Sequence, residues 1–331
     1  MTKADAKMPE MDKPAQSIAI YLIDGFALMS FASVVEPLRA ANLMAGRRLY
    51  DIQTLPVSGD EAVSSGGAVI RRAGGTGAPD LALVVAGGDP FAVDDPNLIA
   101  ALRGPDAQGV MLGGVSGGPV ILARAGLMAG RRMTVHWEHA PALAELQPDL
   151  LIERNLFVID RDRVTCAGGT APIDLMHNLV AQRHGAAFAR EVSDWFLHTD
   201  VRLAGDPQRA GLQERFGVTS RALLDAIEMM ETHIADPLSL KQIAEITGVG
   251  ARQLNRMFQA KLGRSTMAFY RDLRLERARR LISQTPLPLA EVAEATGFAA
   301  MPHFSRAYRA AFGASPSTAR AGSKVELGAD G

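Results

Sequence analysis

Residues 243–265, "IAEITGVGARQLNRMFQAKLGRS", are written a second time at 292–315 as "VAEATGFAAMPHFSRAYRAAFGAS". Gly248 pairs with Gly297 at an offset of 49, while Phe258 with Tyr308 and Gly263 with Gly313 pair at 50, so one residue is inserted after the turn. Each copy reads as an amphipathic helix, a turn at Thr-Gly and a second amphipathic helix, which is helix-turn-helix grammar. Ser239 and Gln242 open the first copy as a capping box, and Pro288 stands near the first helical position of the second. From about Thr219 onward no strand pattern survives. The C-terminal part is therefore expected to be an all-α domain with two helix-turn-helix units.

Charge follows the same division. Residues 214–320 carry 15 Lys+Arg against 10 Asp+Glu, a net of +5. Taking these and the tail's Lys324, Glu326 and Asp330 from the totals of 35 and 36 leaves 19 basic and 24 acidic residues in 1–213, a net of −5. The split points the C-terminal part, and it alone, at a polyanion.

The first half alternates short apolar strands with helical patterns. The strands are "SIAIYLI" (17–23), "YDIQTLPV" (50–57), "LALVVAGG" (81–88), "GVMLGGVS" (109–116), "RRMTVHW" (131–137) and "LFVID" with "RVTCAGG" (156–160 and 163–169), and Ser33–Ala45 is an amphipathic helix. Such alternation specifies an α/β domain, flavodoxin-like, with a mostly parallel sheet and helices on both faces. Ligands of these sheets sit beyond the carboxyl ends of the strands. Ser116 ends one strand and Gly168-Gly169-Thr170 follow another, so both lie at the ligand end.

Residues 16–187 are expected to form this domain and 214–320 the helical one. The linker is placed at 188–213, where "RLAGDPQRAG" (202–211) is punctuated by Gly and Pro. Polar ends at 1–15 and 321–331 are expected to be disordered. The start has no apolar h-region, and the Gly-rich uncharged stretch that stops at Arg124 is too short to span a bilayer, so a cytoplasmic protein away from membranes is expected. The one cysteine, Cys166, excludes an internal disulfide and reads as a small packing residue. No His/Cys/Asp cluster has metal-ligand spacing, and neither metal nor cofactor is expected.

Gly114-Val115-Ser116-Gly117-Gly118 fits G-x-S-x-G, the pattern that puts a serine on a tight strand-to-helix turn. One reading is a serine-dependent hydrolase or acyl transferase. Without chemistry the elbow is still a binding site, because a helix beginning at Gly117 points the N–H groups of Gly117 and Gly118 at an anion above Ser116. Trp137 offers a face for a cationic nitrogen, or else is a core aromatic. His136 is open to the same alternative, a buried histidine with satisfied hydrogen bonds, and Glu36 to that of a salt-bridging carboxylate.

Residues 219–316 resemble the AraC/XylS-type DNA-binding domain, with "FYRDLRLERARRLI" (269–282) as its joining helix and "GFAAMPHFSRAYRAAFGASP" (297–316) as its signature. "GVSGGPVILARAGLMAGRRMTVHW" (114–137) with "DGFALMSFASVVEPLRAAN" (24–42) resembles the ThiJ/PfpI, class I amidotransferase-like domain. The pairing resembles the GlxA family of transcriptional regulators, and "EPLRAAN" (36–42) its branch governing catabolism of glycine betaine, carnitine and arginine. The resemblance implies a homodimeric regulator, an activator that binds promoter DNA and a small-molecule inducer and meets RNA polymerase.

DNA contacts are then expected from Ala251, Arg252, Gln253, Asn255 and Arg256 in the first copy, and from Ala300, Met301, His303, Ser305, Arg306 and Arg309 in the second. Ala299-Ala300-Met301-Pro302 is poorer in polar side chains than the family pattern. Enzymes of the resembled fold place a cysteine at the elbow, a glutamate from the first strand-helix region and often a histidine; the matching positions here are Ser116, Glu36 and His136. The thiol is gone, and a serine needs an aligned base held by a third group. His136 and His139 follow Ser116 with no evident acid to orient either. The resemblance thus implies a zwitterion site built from Glu36, Ser116, Gly117, Gly118, His136, Trp137, Gly169 and Thr170, with Gly168 and Asp174 in its second wall. A third reading makes the α/β domain only a dimerisation scaffold.

Overall fold

A computed structural model describes residues 14–74 and 77–326, the last four by backbone alone, and the chain divides after Gln208 into two units. The first unit begins with β1 (Gln16–Leu22), α1 (Leu28–Ala45), β2 (Tyr50–Pro56), the hairpin β3 (Glu61–Val63) and β4 (Val69–Arg71), and β5 (Leu81–Ala86). There follow α2 (Pro96–Ala107), β6 (Met111–Ser116), α3 (Gly118–Arg124), β7 (Arg132–Thr134) and α4 (Ala140–Leu146). β8 (Leu151–Glu153), β9 (Phe157–Asp160), β10 (Arg163–Cys166), α5 (Ala171–His184) and α6 (Ala186–Trp195) complete it.

The main sheet runs β2-β1-β5-β6-β10-β9 and is parallel except where β9 meets β10. Without β9 this is the flavodoxin-like order, whose switch point falls between β1 and β5. Ile18, Ile20 and Leu22 of β1 and Leu81, Leu83 and Val85 of β5 share one core with α1, α5 and α6. The alternate residues Ala19, Ala82 and Val84 are buried as well, as a strand covered on both faces requires.

The stretch 188–213, expected as a linker, is built into the first unit over most of its length. Phe188 and Val192 stand one turn apart on α6 and, with Ala189, enter the sheet core. Of the expected tails, 1–13 and 327–331 lie outside the described residues, but 321–326 continue α14 (Pro316–Glu326).

The second unit is helical, as expected: α7 (Leu212–Phe216), α8 (Arg221–Thr232), α9 (Leu240–Thr247), α10 (Ala251–Leu262), α11 (Thr266–Gln284), α12 (Leu289–Ala295), α13 (Met301–Phe312) and α14. The capping box is present, with Ser239 Oγ accepting from the Gln242 N–H and Gln242 Oε1 from the Ser239 N–H. Leu223, Ile227, Ile243, Leu254, Phe258 and Tyr270 fill the core around the first helix-turn-helix. Among the described residues no helix is long and apolar enough to cross a membrane.

The G-x-S-x-G glycines have a steric cause. A Cβ on Gly118 would lie 2.0 Å from the Val84 carbonyl oxygen, and one on Gly114 2.4 Å from the Pro119 nitrogen. Both obstacles are backbone, so α3 can fold back over β6 only if these positions are bare. Gly118→Ala is expected to lower the stability of the first unit by about 3 kcal/mol or prevent its folding. Gly322→Ala, inside α14 with open space around it, should instead raise the stability of the second unit by up to about 0.5–1 kcal/mol. Thermal unfolding followed by circular dichroism measures both.

Candidate ligand site and nucleic-acid interface

Ser116 has φ +60, a left-handed conformation that a non-glycine residue adopts only when the surroundings impose it. The elbow read from the sequence is therefore formed. Gly168 lies against it, since a Cβ there would stand 2.7 Å from that of Ser116. Next to it the Gly169 N–H donates to Ser30 Oγ at 2.9 Å, and Thr170 Oγ1 accepts from Arg202 Nη2 at 2.9 Å. On the other side, Pro90 closes on Gly117. The ring of Phe91 stands 6.0 Å from His139, His139 5.8 Å from His136, and His136 5.2 Å from Trp137. His136 and Trp137 are half-buried. The Glu138 N–H points at His136 Nδ1 at 3.4 Å, which makes that nitrogen the acceptor.

Three expectations about this site change. Glu36 is paired with Arg39 at 2.7 Å. It lies six residues beyond Ser30 on α1, about 9 Å along the axis and 120° around it, so it is Ser30 that α1 presents to the elbow. Ser30 is fully buried and carries no charge. The N–H of Gly117 is engaged by the Ala86 carbonyl at 3.1 Å, an extension of the β5–β6 ladder. Helix α3 starts at Gly118 and has only 7 residues, so its dipole is short.

Asp174 is buried and ties the chain past α6 to this end of the sheet. Its carboxylate accepts from His198 Nε2 at 2.8 Å, from the Arg202 backbone N–H at 2.9 Å, and from Arg202 Nη2 at 2.7 Å. Farther on, the Leu156 N–H donates to Ala204, and Gln208 Nε2 donates to the carbonyls of Val135 and Asn155. Residues 198–208 are thus a strap on the first unit, and the second unit begins at Arg209. Among the described residues no group of three or more His, Cys, Asp or Glu could hold a metal ion.

In the second unit the repeat becomes a repeated surface. Along α10 and α13, residues 251–260 and 301–310 have the same sequence of buried, half-buried and exposed positions. Leu254 and Phe258 point inward in one copy, Phe304 and Tyr308 in the other. Arg252, Gln253 and Arg256 are exposed on α10, and His303, Arg306 and Arg309 on α13. Ala251, Met301 and Ser305 are half-buried, and Ala300 is exposed as the residue preceding α13. Asn255 is a correction: its Oδ1 accepts the Thr266 N–H at 2.8 Å and so fastens α10 to the start of α11. The position equivalent to Thr266 is Pro316, which has no N–H, and its partner position holds Ser305.

Residues 16–182 match the DJ-1/PfpI family and residues 243–322 a helix-turn-helix domain. The HTH-type transcriptional regulator GlxA of Rhizobium meliloti (strain 1021) is 44% identical over 92% of this chain and 95% of its own length. The HTH-type transcriptional regulator CdhR of Pseudomonas aeruginosa is 43% identical, covering 93% of this chain and 92% of its own. The chain belongs to the GlxA family of transcriptional regulators. In the terms of that family its first unit is the DJ-1/PfpI-type domain and its second the AraC-type helix-turn-helix domain. The solved structure of an AraC family transcriptional regulator from Pseudomonas putida aligns with TM-score 0.50 and 27% identity, over 55% of this chain and 99% of that one.

Sequence reasoning missed two residues that organise this GlxA-family chain. Ser30 offered no charge to notice. Arg274, on α11, donates from Nε to the Thr296 carbonyl at 2.7 Å and from Nη2 to that of Gly297 at 2.5 Å, and its guanidinium lies 4.2 Å from the Phe298 ring centroid. It pins the turn of the second helix-turn-helix. Arg274→Ala is expected to speed amide exchange across 289–312 and leave 240–262 protected. Arg202→Ala, which strips the buried Asp174 carboxylate of two hydrogen bonds, should cost about 1.5–3 kcal/mol in thermal unfolding.

Burial, and then its neighbour His136, pulls the pKa of His139 down to about 4 from an ordinary 6.5. Below pH 6.5 the unfolded chain takes up a proton that the folded chain refuses until near pH 4, so stability held above 6.5 is lost as pH falls through that window. A His139→Gln variant should show a shallower loss in the same titration of thermal midpoint.

Proposed function

We propose that this chain is a ligand-responsive regulator of a catabolic operon that binds promoter DNA through residues 214–320 and senses a small zwitterionic metabolite at the elbow of its first unit. It works without catalysis, in the cytoplasm, as a homodimer that meets RNA polymerase. The observation that carries the DNA-binding part is the matched pair of exposed faces on α10 and α13. Among the described residues no acidic partner engages Arg252, Arg256, Arg306 or Arg309, so these guanidiniums are available to a polyanion.

For the ligand, support comes from the arrangement beyond the strand ends. Ser116 and Thr170 offer hydroxyl groups, and His136 and Trp137 supply aromatic faces suited to a quaternary or primary ammonium. Glu36 has no part in it. The zwitterion's cationic end is held by π-faces rather than by a carboxylate.

The left-handed Ser116 is the one observation that favours a hydrolase. A base must hydrogen-bond a serine to activate it, and among the described residues no side chain does so to Ser116 Oγ.

Fluorescence anisotropy of the full chain on DNA from upstream of its own coding sequence should show affinity falling steeply with salt. Arg252→Ala and Arg256→Ala should each cost roughly 1–3 kcal/mol if the side chain reads a base. Calorimetry with glycine betaine, carnitine and arginine tests the other half: Ser116→Ala should weaken the best of them by about 0.5–1.5 kcal/mol. An acyl adduct on Ser116 in mass spectrometry would instead establish the enzyme.

A further inference from the structure

The matched exposure of α10 and α13 sets their residues in one-to-one correspondence, and the chemistry at the corresponding exposed positions differs. Arg252 stands where the second copy has Pro302, Gln253 where it has His303, and Gln259 where it has Arg309; of the exposed polar positions of α10 only Arg256 is repeated, as Arg306. Base edges in the major groove are read by forks, a guanidinium against guanine O6 and N7 or a side-chain amide against adenine N6 and N7. The α10 face carries two of each.

Two of these four are also bound to one another. Arg256 Nη2 donates to Gln253 Oε1 across one helical turn, which orients both groups before any DNA arrives and leaves the amide nitrogen and the rest of the guanidinium facing outward. The α13 face has no amide, its Pro302 has no side-chain donor, and the ring of His303 is set against Phe298 at 5.8 Å. What it offers is Arg306 and Arg309, three residues apart and both exposed. Among the described residues no side chain orients these two guanidiniums, and a cation not held in one geometry meets the continuous row of phosphates more readily than a single base edge.

We propose that the two helix-turn-helix units divide the work of recognition. The first reads sequence through the Gln253–Arg256 pair with Arg252 and Gln259, and the second holds the duplex by its phosphates through Arg306 and Arg309, with little regard to the bases beneath. The division rests on the reading of residues 214–320 as DNA-binding and adds to it which unit carries specificity.

Selection of the full chain on random-sequence duplexes tests this. In each half-site, one per protomer, the wild type should enrich one defined block of bases, flanked about 10 bp away by a degenerate one. Gln253→Ala and Arg256→Ala, shown by circular dichroism to be folded, should erase or change that block. Arg306→Ala and Arg309→Ala should leave the enriched sequence as it was and weaken binding to selected and unrelated DNA by a similar factor, about tenfold, with a shallower salt dependence. Two equally defined blocks about 10 bp apart within one half-site, or a changed base preference in Arg306→Ala, would overturn the division. Salt-dependent binding without enrichment would overturn it too while leaving the DNA-binding function standing. No binding at any salt would remove both.

Discussion

Arg274 is the point on which the DNA-binding unit turns. Its guanidinium satisfies two carbonyls where a helix ends and a left-handed glycine begins, and it covers the face of Phe298. Gly297 has no room for a side chain, because a Cβ there would meet the Ile234 carbonyl and Pro237 at 2.7 Å. The second turn is thus held from both sides. Asn255 ties the first recognition helix to the start of the same helix α11, about two turns before Arg274. With 19 residues, α11 is a rod about 28 Å long to which both units are fixed. Two short helix-turn-helix units thereby acquire a constant separation, and a constant separation is what successive grooves of one duplex demand.

The first unit shows what an elbow demands of its sequence. Bare positions at Gly114 and Gly118 and a left-handed residue between them are what any strand needs if a helix is to fold straight back over it. Those demands are geometric and say nothing of a nucleophile. A hydroxyl stands in place of a thiol, and α1 turns Ser30 rather than Glu36 to this end of the sheet. Beside the elbow lie Pro90 and, past it, the rings of Phe91, His139, His136 and Trp137. The strap that crosses this end, held by Asp174, runs on in sequence into the DNA-binding unit.

Local chemistry made most of the architecture legible. The repeat, its Thr-Gly turns, the capping box and the G-x-S-x-G turn all depend on residues within a few positions of one another, and each formed where the pattern put it. The site was less legible because its members come from separate elements. Whether α1 offers Glu36 or Ser30 to the elbow depends on the angular phase at which the helix settles on the sheet, and a charged residue draws notice that a serine does not. Asn255 has the composition of a base reader. Its engagement is visible only beside the N–H of Thr266, although the proline at the equivalent place in the second copy was a clue. In the stretch after residue 187 Gly and Pro dominate the pattern, and only the one-turn spacing of Phe188 and Val192 marks the helix that packs on the sheet.

Recognition, as proposed, needs both helix-turn-helix units of a protomer to meet one duplex. Hydroxyl-radical footprinting of the full chain on DNA from upstream of its own coding sequence addresses that directly. In each half-site, protection of the backbone flanking two adjacent major grooves on one face, about 10 bp apart, is the predicted result. Protection confined to a single groove per half-site, or to none, would contradict it.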